Sequence, residues 1–168
     1  SLDGTNQIGE YIRTGLDYEQ FCCNFEQGLR YATSPRQMRL DFTLTLPGMF
    51  EVNAMERLSQ TYGVQLLAKV IFSFSPEIVM SPLCLPRSIL EPWIDELTAN
   101  TSGSMRDVLI QLKSRPTFEE QWPDQYRAGL VKGKTRMIKL ESIRAQSTTM
   151  DQILSGRKDV YDWWKSIA

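Results

Sequence analysis

The order of a strand pattern, a helix pattern and a second strand pattern is the feature that most constrains this fold. Residues 39–46 (RLDFTLTL) alternate apolar and polar side chains, which is typical of a strand. Residues 64–74 are almost continuously apolar, which predicts a strand buried on both faces under helices. Between them, Asn53 with Glu56 forms a capping-box pattern and Gly63 predicts a helix end. This order predicts parallel strands joined by a right-handed crossover.

Helical spacing dominates the rest of the chain. Asp17 is an N-cap candidate, and apolar residues at helical spacing predict a helix from about Asp17 to Tyr31. Beyond residue 80, three more helices are predicted, around residues 89–97, from Ser104 onward and around residues 160–167. The expected fold is α/β, a partial parallel β/α barrel of about three strands followed by a helical C-terminal region. We expect the chain to have two parts: residues 1–80 form the barrel part, and residues 81–168 form a mainly helical C-terminal extension.

Composition removes several classes of function. The chain has no histidine, which excludes Ser/His/Asp and Cys/His nucleophilic sites and histidine-ligated zinc. Cys22 and Cys23 are adjacent and are expected to pack in the core, and three cysteines suit a reducing, cytoplasmic setting better than a disulfide framework. We predict no membrane span and no signal segment, because no stretch approaches the roughly 20 apolar residues that a span needs.

Charge gives no general reason to expect nucleic acid or an anionic membrane as a partner. The formal net charge of -1 is the difference between 19 basic and 20 acidic residues. The C-terminal third is locally basic, and we interpret this as a solvated face rather than a nucleic-acid surface. The basic residues are Arg127, Lys132, Lys134, Arg136, Lys139 and Arg144.

The opening of the chain carries the most specific local pattern. Residues 1–4 (SLDG) are followed by residues 10–15 (EYIRTG) and then by the helix predicted at Asp17. The chain begins without a cap or a turn, as though it had been cut near a strand. These elements resemble the fourth strand and following loop of radical S-adenosylmethionine enzymes of the SPASM and twitch branch, where the same two motifs occur in the same order.

The resemblance continues further along the chain. Residues 41–46 and 67–74 are similar to the fifth and sixth strands of the barrel in that family. Residues 140–144 (LESIR) and 148–150 (TTM), with a tryptophan-bearing end, look like the tail of the twitch group.

The resemblance implies roles for five residues. Ser1 and Arg13 would contact the carboxylate of S-adenosylmethionine, and Asp3 would lie near its ribose or the substrate. Thr43 and Thr45 lie on the polar side of a predicted strand, which in a helix-covered barrel would point into the ligand cavity. The plain alternatives are a solvated sheet face and an ordinary surface arginine.

One departure from the family limits what this chain does alone. The family holds a four-iron four-sulfur cluster on a CxxxCxxC loop after the first strand, and Cys22, Cys23 and Cys84 do not match that spacing. We therefore expect a fragment of a radical S-adenosylmethionine enzyme that is not catalytic by itself. S-adenosylmethionine and the cluster are expected in the parent protein, with no metal site and no bound cofactor in this chain.

Two further expectations concern partners. The alternative function is a self-contained, non-catalytic α/β interaction module whose opening motif is coincidental. A barrel cut beside Ser1 would expose a strand edge, and exposed edges invite pairing, so we expect a homodimer or a higher oligomer. The substrate of the parent enzyme stays open, because a fold does not fix its chemistry.

Overall fold

A computed structural model describes residues 1–144 and 147–168, apart from the side chain of Pro35. The chain is mixed and mostly helical, with one small parallel sheet. The strands are β1 (Arg39–Leu44) and β2 (Gln65–Val70). The helices are α1 (Asn6–Ile12), α2 (Tyr18–Tyr31), α3 (Val52–Tyr62), α4 (Arg87–Ala99), α5 (Gly103–Ser114), α6 (Phe118–Gln121), α7 (Tyr126–Arg144), α8 (Met150–Leu154) and α9 (Lys158–Ser166).

The predicted strand, helix, strand order is confirmed. β1 and β2 are parallel, paired from Arg39 with Gln65 to Leu44 with Val70, and α3 forms the crossover between them. Gly63 ends α3 in the left-handed conformation with φ of 63°. A partial barrel is not confirmed by this two-stranded sheet.

The N-terminal cap predicted for α3 is wrong. The N-cap is Glu51 rather than Asn53, which lies inside the helix, and the Glu51 side chain makes no capping hydrogen bond. A tight 3₁₀ turn at Pro47–Glu51 leads directly into α3. The helix therefore begins before the capping-box pattern in the sequence, because the preceding turn has already brought the backbone into helical conformation.

The alternation of β1 follows the prediction, because Leu40, Phe42 and Leu44 are buried. The predicted burial of both faces of β2 is wrong: Leu67 is 41% exposed, and Phe72 and Phe74 beyond the strand are 79% and 71% exposed.

The predicted length of β2 is also wrong, because the strand ends at Val70 and not near residue 74. The backbone gives the reason. The N–H of Leu46 donates to the carbonyl of Met80 at 2.7 Å, so a later segment takes the place beside β1 that a longer β2 would occupy.

Helices pack against both strands of the sheet. α3 contacts both strands, and α5 packs on β2 and on α4. Leu90, Trp93, Ile94 and Leu97 of α4 are buried, as its spacing predicted. Full burial of one such side chain stabilises the fold by about 1.5–3 kcal/mol, so truncation of Leu90 to alanine would cost about 2–5 kcal/mol.

The last helix, α9, is held by a buried tryptophan and by hydrogen bonds from α7. Trp164 of α9 is 2% exposed, which fits the predicted anchoring of the last helix. The Nζ of Lys134, in α7, donates to the carbonyls of Trp164 and Ile167 at 2.8 and 2.7 Å. The Trp164 carbonyl also accepts the N–H of Ile167, so the cation adds a further bond at the C-terminal end of α9. Among the described helices, none combines the length and apolar composition required to cross a membrane.

Candidate functional site

The first three residues lie along the edge of β1 that does not pair with β2. The N–H of Leu2 donates to the carbonyl of Asp41 at 2.8 Å, and the N–H of Thr43 donates to Oδ1 of Asp3 at 3.0 Å. In a parallel pair alternate residues direct their backbone groups to opposite sides, so Asp41 and Thr43 face away from β2. The opening segment, residues 1–3, thus lies beside β1 and runs in the same direction.

Asp3 and Arg13 form the centre of the site. The Nε of Arg13 lies 2.7 Å from Oδ2 of Asp3, and Nη2 of Arg13 donates to Oγ of Ser1 at 3.0 Å. The Asp3 side chain is only 9% exposed, whereas that of Arg13 is 44% exposed. A buried carboxylate needs a charged or hydrogen-bonding partner. One oxygen of Asp3 binds the Arg13 guanidinium and the other binds the backbone of β1, so Asp3 fixes the position of the guanidinium relative to β1.

Part of the Arg13 guanidinium stays open. Among the described residues, no partner of Nη1 is present, and Nη2 has one N–H left after its bond to Ser1. The Nη1–Nη2 side of a guanidinium presents two parallel donors that match a carboxylate. Because Arg13 is nearly half exposed, an anion from solution can reach this side.

The hydroxyl of Ser1 is already engaged. Its Oγ donates to the carbonyl of Asp41 at 3.1 Å and accepts the bond from Arg13. A serine hydroxyl has a single hydrogen, so Ser1 orients Arg13 in this arrangement and has no second donor for a ligand.

The two threonines have different surroundings. Thr43 contributes its backbone N–H to Asp3, and its side chain is half-buried. Thr45 is 2% exposed, and its Oγ1 accepts a bond of 3.0 Å from the N–H of Gly48. The structure therefore brings together Ser1, Asp3, Arg13 and the backbone of Thr43, while the hydroxyl of Thr45 belongs to the turn after β1.

Arg13 directly follows the last residue of α1, so the position of α1 determines the position of Arg13. Glu51 in turn binds the residue that precedes α1. Oε2 of Glu51 accepts bonds of 2.6 Å from both the N–H and the Oγ1 of Thr5, which precedes α1. Glu51 is 8% exposed, so this anion is held inside the fold by its partners. Glu51 could not be predicted from the sequence, because a contact across 46 residues leaves no local pattern.

Asp41, on the same polar face of β1 as Thr43, also belongs to the cluster. Its Oδ1 is buried and makes no hydrogen bond within the described part of the chain, although Nε of Arg39 lies 3.0 Å away. The Asp41 side chain is 34% exposed and lies next to the Ser1 contact. The cluster therefore has no net charge, since it carries two acidic and two basic side chains: Asp3, Asp41, Arg13 and Arg39. Its net charge does not favour a ligand of either sign, so selection of a ligand depends on the fixed position of the Arg13 guanidinium.

An open cleft of about 240 Å³ lies along α1 and the turn that follows it. Arg13 and Asp3 do not line it. On its wall, the hydroxyl of Tyr11 donates to Oε1 of Glu141 at 2.7 Å. Its lining residues are Gln7, Glu10, Tyr11, Thr14, Gly15, Leu16, Arg144, Ser147 and Thr148.

The cysteines are distributed over two parts of the fold. Cys22 is half-buried and Cys23 is exposed on α2, so the predicted core packing is wrong for Cys23. Cys84 is completely buried. Burial on its own raises the pKa of the Cys84 thiol far above its usual range. In residues 1–144 and 147–168 there is no group of three or more His, Cys, Asp or Glu side chains suited to a metal ion.

Comparison of the chain with protein-family models, with curated proteins and with solved structures finds no match.

Proposed function

We propose that this chain is part of a radical S-adenosylmethionine enzyme and carries the side of the site that binds the cofactor carboxylate. The observation that carries the proposal is the 2.7 Å pair between Asp3 and Arg13, which leaves Nη1 of Arg13 open beside the C-terminal half of β1. The parent protein would be the enzyme, and this chain would not be catalytic alone.

The geometry supports a carboxylate ligand in particular. Asp3 and Ser1 hold the guanidinium in place before a ligand arrives, which lowers the entropy lost on binding. The remaining N–H groups of Arg13 suit two carboxylate oxygens at once. In this arrangement Arg13 binds the ligand, and Asp3 and Ser1 are positioning residues.

The described residues do not fit the iron–sulfur cluster that the family requires. The buried Cys84 thiol and the α2 cysteines are separate, and the described residues contain no cluster of metal-ligating side chains. Any cluster would have to be held by a part of the parent protein outside this chain.

Binding to the chain itself tests the assignment of Arg13. We expect S-adenosylmethionine to shift the NMR signals of the Arg13 Nε–H and the Thr43 amide, and 5′-methylthioadenosine, which lacks the carboxylate, to shift them far less. Arg13→Lys should weaken binding at least tenfold, which is about 1.4 kcal/mol. The matched control is Arg30→Lys, at an exposed arginine in the last turn of α2. Equal shifts with both compounds would contradict the proposal.

The DNA upstream of the Ser1 codon tests the fragment assignment. A continuous reading frame that encodes CxxxCxxC would support it, and an unrelated upstream domain would oppose it. With iron and sulfide, the longer chain should become a brown, oxygen-sensitive protein that cleaves S-adenosylmethionine.

Pairing of two chains through the edge near Ser1, in a cytoplasmic setting, is part of the same proposal. The opening segment makes one backbone-to-backbone bond to β1, so its own outer edge is a candidate for pairing. The three free thiols suit a reducing compartment. Light scattering that shows a clean monomer at high concentration would count against pairing.

A different observation favours the non-catalytic interaction module. Phe72 and Phe74, just beyond the end of β2, are more than two-thirds exposed. The strand β2 and the opening segment lie on opposite edges of β1. Exposed adjacent aromatic rings are typical of binding surfaces.

A further inference from the structure

The segment from Val70 to Phe74, which we call the aromatic edge, exposes both side chains and backbone. The rings of Phe72 and Phe74 are 79% and 71% exposed, with centroids 5.9 Å apart. Because the two rings are in contact and one residue separates them along the chain, both project from the same side of the segment. Ring pairs of this size are normally buried, so their exposure needs an explanation.

The backbone of the aromatic edge is held in place. The N–H of Ile71 donates to the carbonyl of Leu44 at 3.1 Å, which continues the β1 pairing by one residue. Ser73 Oγ bonds to Oγ of Ser81 at 2.7 Å, and Ser81 is completely buried. The two rings therefore stand on a segment tied to the core.

The outer backbone groups of the aromatic edge lack partners. Because Ile71 faces β1, the groups of Val70 and Phe72 face outward. Their N–H groups make no hydrogen bond in the described part of the chain. The N–H of Ala68, by contrast, donates to Oγ of Ser104 in α5 at 2.9 Å. Ser104 thus occupies the outer edge of β2 at Ala68, and the groups of Val70 and Phe72 beyond it stay open in the described part of the chain.

We propose that the aromatic edge binds an extended, acidic and apolar peptide segment that adds as a strand beside Val70 and Phe72. Unpaired backbone donors and acceptors select an extended main chain, and rings at alternate positions select apolar side chains at alternate positions. The assignment is independent of the Arg13 site.

Charge around the aromatic edge favours an acidic partner. Lys132 and Arg136 of α7 both contact the single carboxylate of Glu77, at 2.6 and 3.3 Å, three residues after Phe74. Together, these two cations and one carboxylate carry a net charge of +1. Lys69 adds another positive charge, since it is exposed and takes part in no ion pair among the described residues.

Area favours a short segment over a second copy of the chain. Two phenylalanine rings at this exposure present about 300 Å² of surface. A stable complex between folded proteins buries about 800 Å² on each partner. The aromatic edge alone is therefore too small for a dimer interface but is suited to a few residues of an added strand.

The test uses the full chain and a labelled eight-residue peptide that alternates glutamate with phenylalanine or valine. We expect saturable binding by fluorescence anisotropy, with the largest amide shifts and new exchange protection at Val70 and Phe72. Phe72→Ser with Phe74→Ser should weaken binding at least tenfold. Tyr31→Ser is the matched control, because Tyr31 is 87% exposed on α2. Equal loss in the control would overturn the proposal.

Two altered peptides separate the contributions. A peptide with proline at alternate positions lacks the N–H groups for strand addition and should not bind, and lysine in place of glutamate should weaken binding. Lys69→Glu should reduce the preference for the glutamate peptide. Equal binding of the proline peptide, no binding at millimolar concentration, or dimerisation that disappears in the double serine variant would each overturn the proposal.

Discussion

The hydroxyl of Tyr11 in α1 donates a 2.7 Å hydrogen bond to Oε1 of Glu141 in α7, and the same oxygen accepts the N–H of Met150 at 2.7 Å. One carboxylate therefore joins the helix that carries Arg13 to α7 and to the start of α8. Burial, and next the bond to Glu141, raises the pKa of Tyr11 well above its usual range. The hydroxyl thus stays a donor throughout the physiological range.

Removal of this hydroxyl should lower stability. Tyr11→Phe keeps the buried ring and removes the hydrogen bond to the charged Glu141, and the loss of such a bond costs about 1.5–3 kcal/mol. Urea denaturation followed by circular dichroism measures the change. Tyr31→Phe, at a ring that is 87% exposed, is the control and should differ little from the parent chain. Equal midpoints for the two variants would show that the contact does not stabilise the fold.

Gly9 should not tolerate a side chain. A Cβ at this position would lie 2.3 Å from the carbonyl oxygen of Gly4, a backbone atom that cannot move aside. We expect Gly9→Ala to cost about 1–3 kcal/mol despite the higher helix propensity of alanine. Gly28→Ala in α2 is the matched control, since the nearest atom there is the flexible end of Met38. Its thermal midpoint should stay level or rise, and a similar loss in both variants would contradict the packing argument.

Local patterns predicted the elements whose contacts are local. Asp17 caps α2 as its spacing with Gln20 indicated, with Oδ1 of Asp17 accepting the Gln20 N–H at 2.9 Å. The apolar run at residues 64–74 gave the wrong length and burial for β2. The end of β2 depends on Met80, which pairs with Leu46 from a distant segment. No periodicity within the run encodes that competition.

In the candidate site too, the residues of a local motif could be predicted, whereas a residue that makes a long-range contact could not. Ser1, Asp3 and Arg13 were named from a motif confined to the first residues of the chain, and these three side chains do lie together. Glu51, which fixes the start of α1, could not be predicted, because its partner Thr5 is 46 residues away. A buried carboxylate that serves another segment has no signature in its own neighbourhood.

Acid should weaken the contact between α4 and α6. The bond from Arg87, and next the Thr117 N–H at 2.7 Å, lower the pKa of Glu120 from 4.5 to about 2. A lowered folded pKa gives stability that is present above the unfolded value and is lost as the pH falls from 4.5 toward 2. Glu120→Gln should flatten the dependence of the urea midpoint on pH in this window. Glu119→Gln, at the exposed neighbour, should keep the steeper dependence of the parent chain.

Thiol reactivity should report the packing of the core. Cys23 is exposed and Cys22 half-buried, whereas Cys84 is completely buried with a strongly raised pKa. The thiolate is the reactive form, so iodoacetamide should label Cys23 first and Cys84 only after unfolding in urea. Peptide mass spectrometry identifies the labelled site. Labelling of Cys84 at the rate of Cys23 under native conditions would contradict the packing around the 3₁₀ turn at Pro82–Cys84.

Asp3→Asn tests whether the Asp3 carboxylate is what fixes Arg13. Both oxygens of Asp3 accept bonds, from the Thr43 N–H and from Nε of Arg13. An asparagine has one acceptor oxygen, so its NH₂ would face one of these donors, at a cost of about 1–3 kcal/mol. Urea denaturation should show this loss, and NMR relaxation should show faster motion of the Arg13 Nε–H. Asp17→Asn is the matched control, because asparagine caps helices as well as aspartate does. If the Arg13 signal kept its rigidity in Asp3→Asn, the fixed guanidinium on which the carboxylate assignment rests would have to be attributed to other contacts.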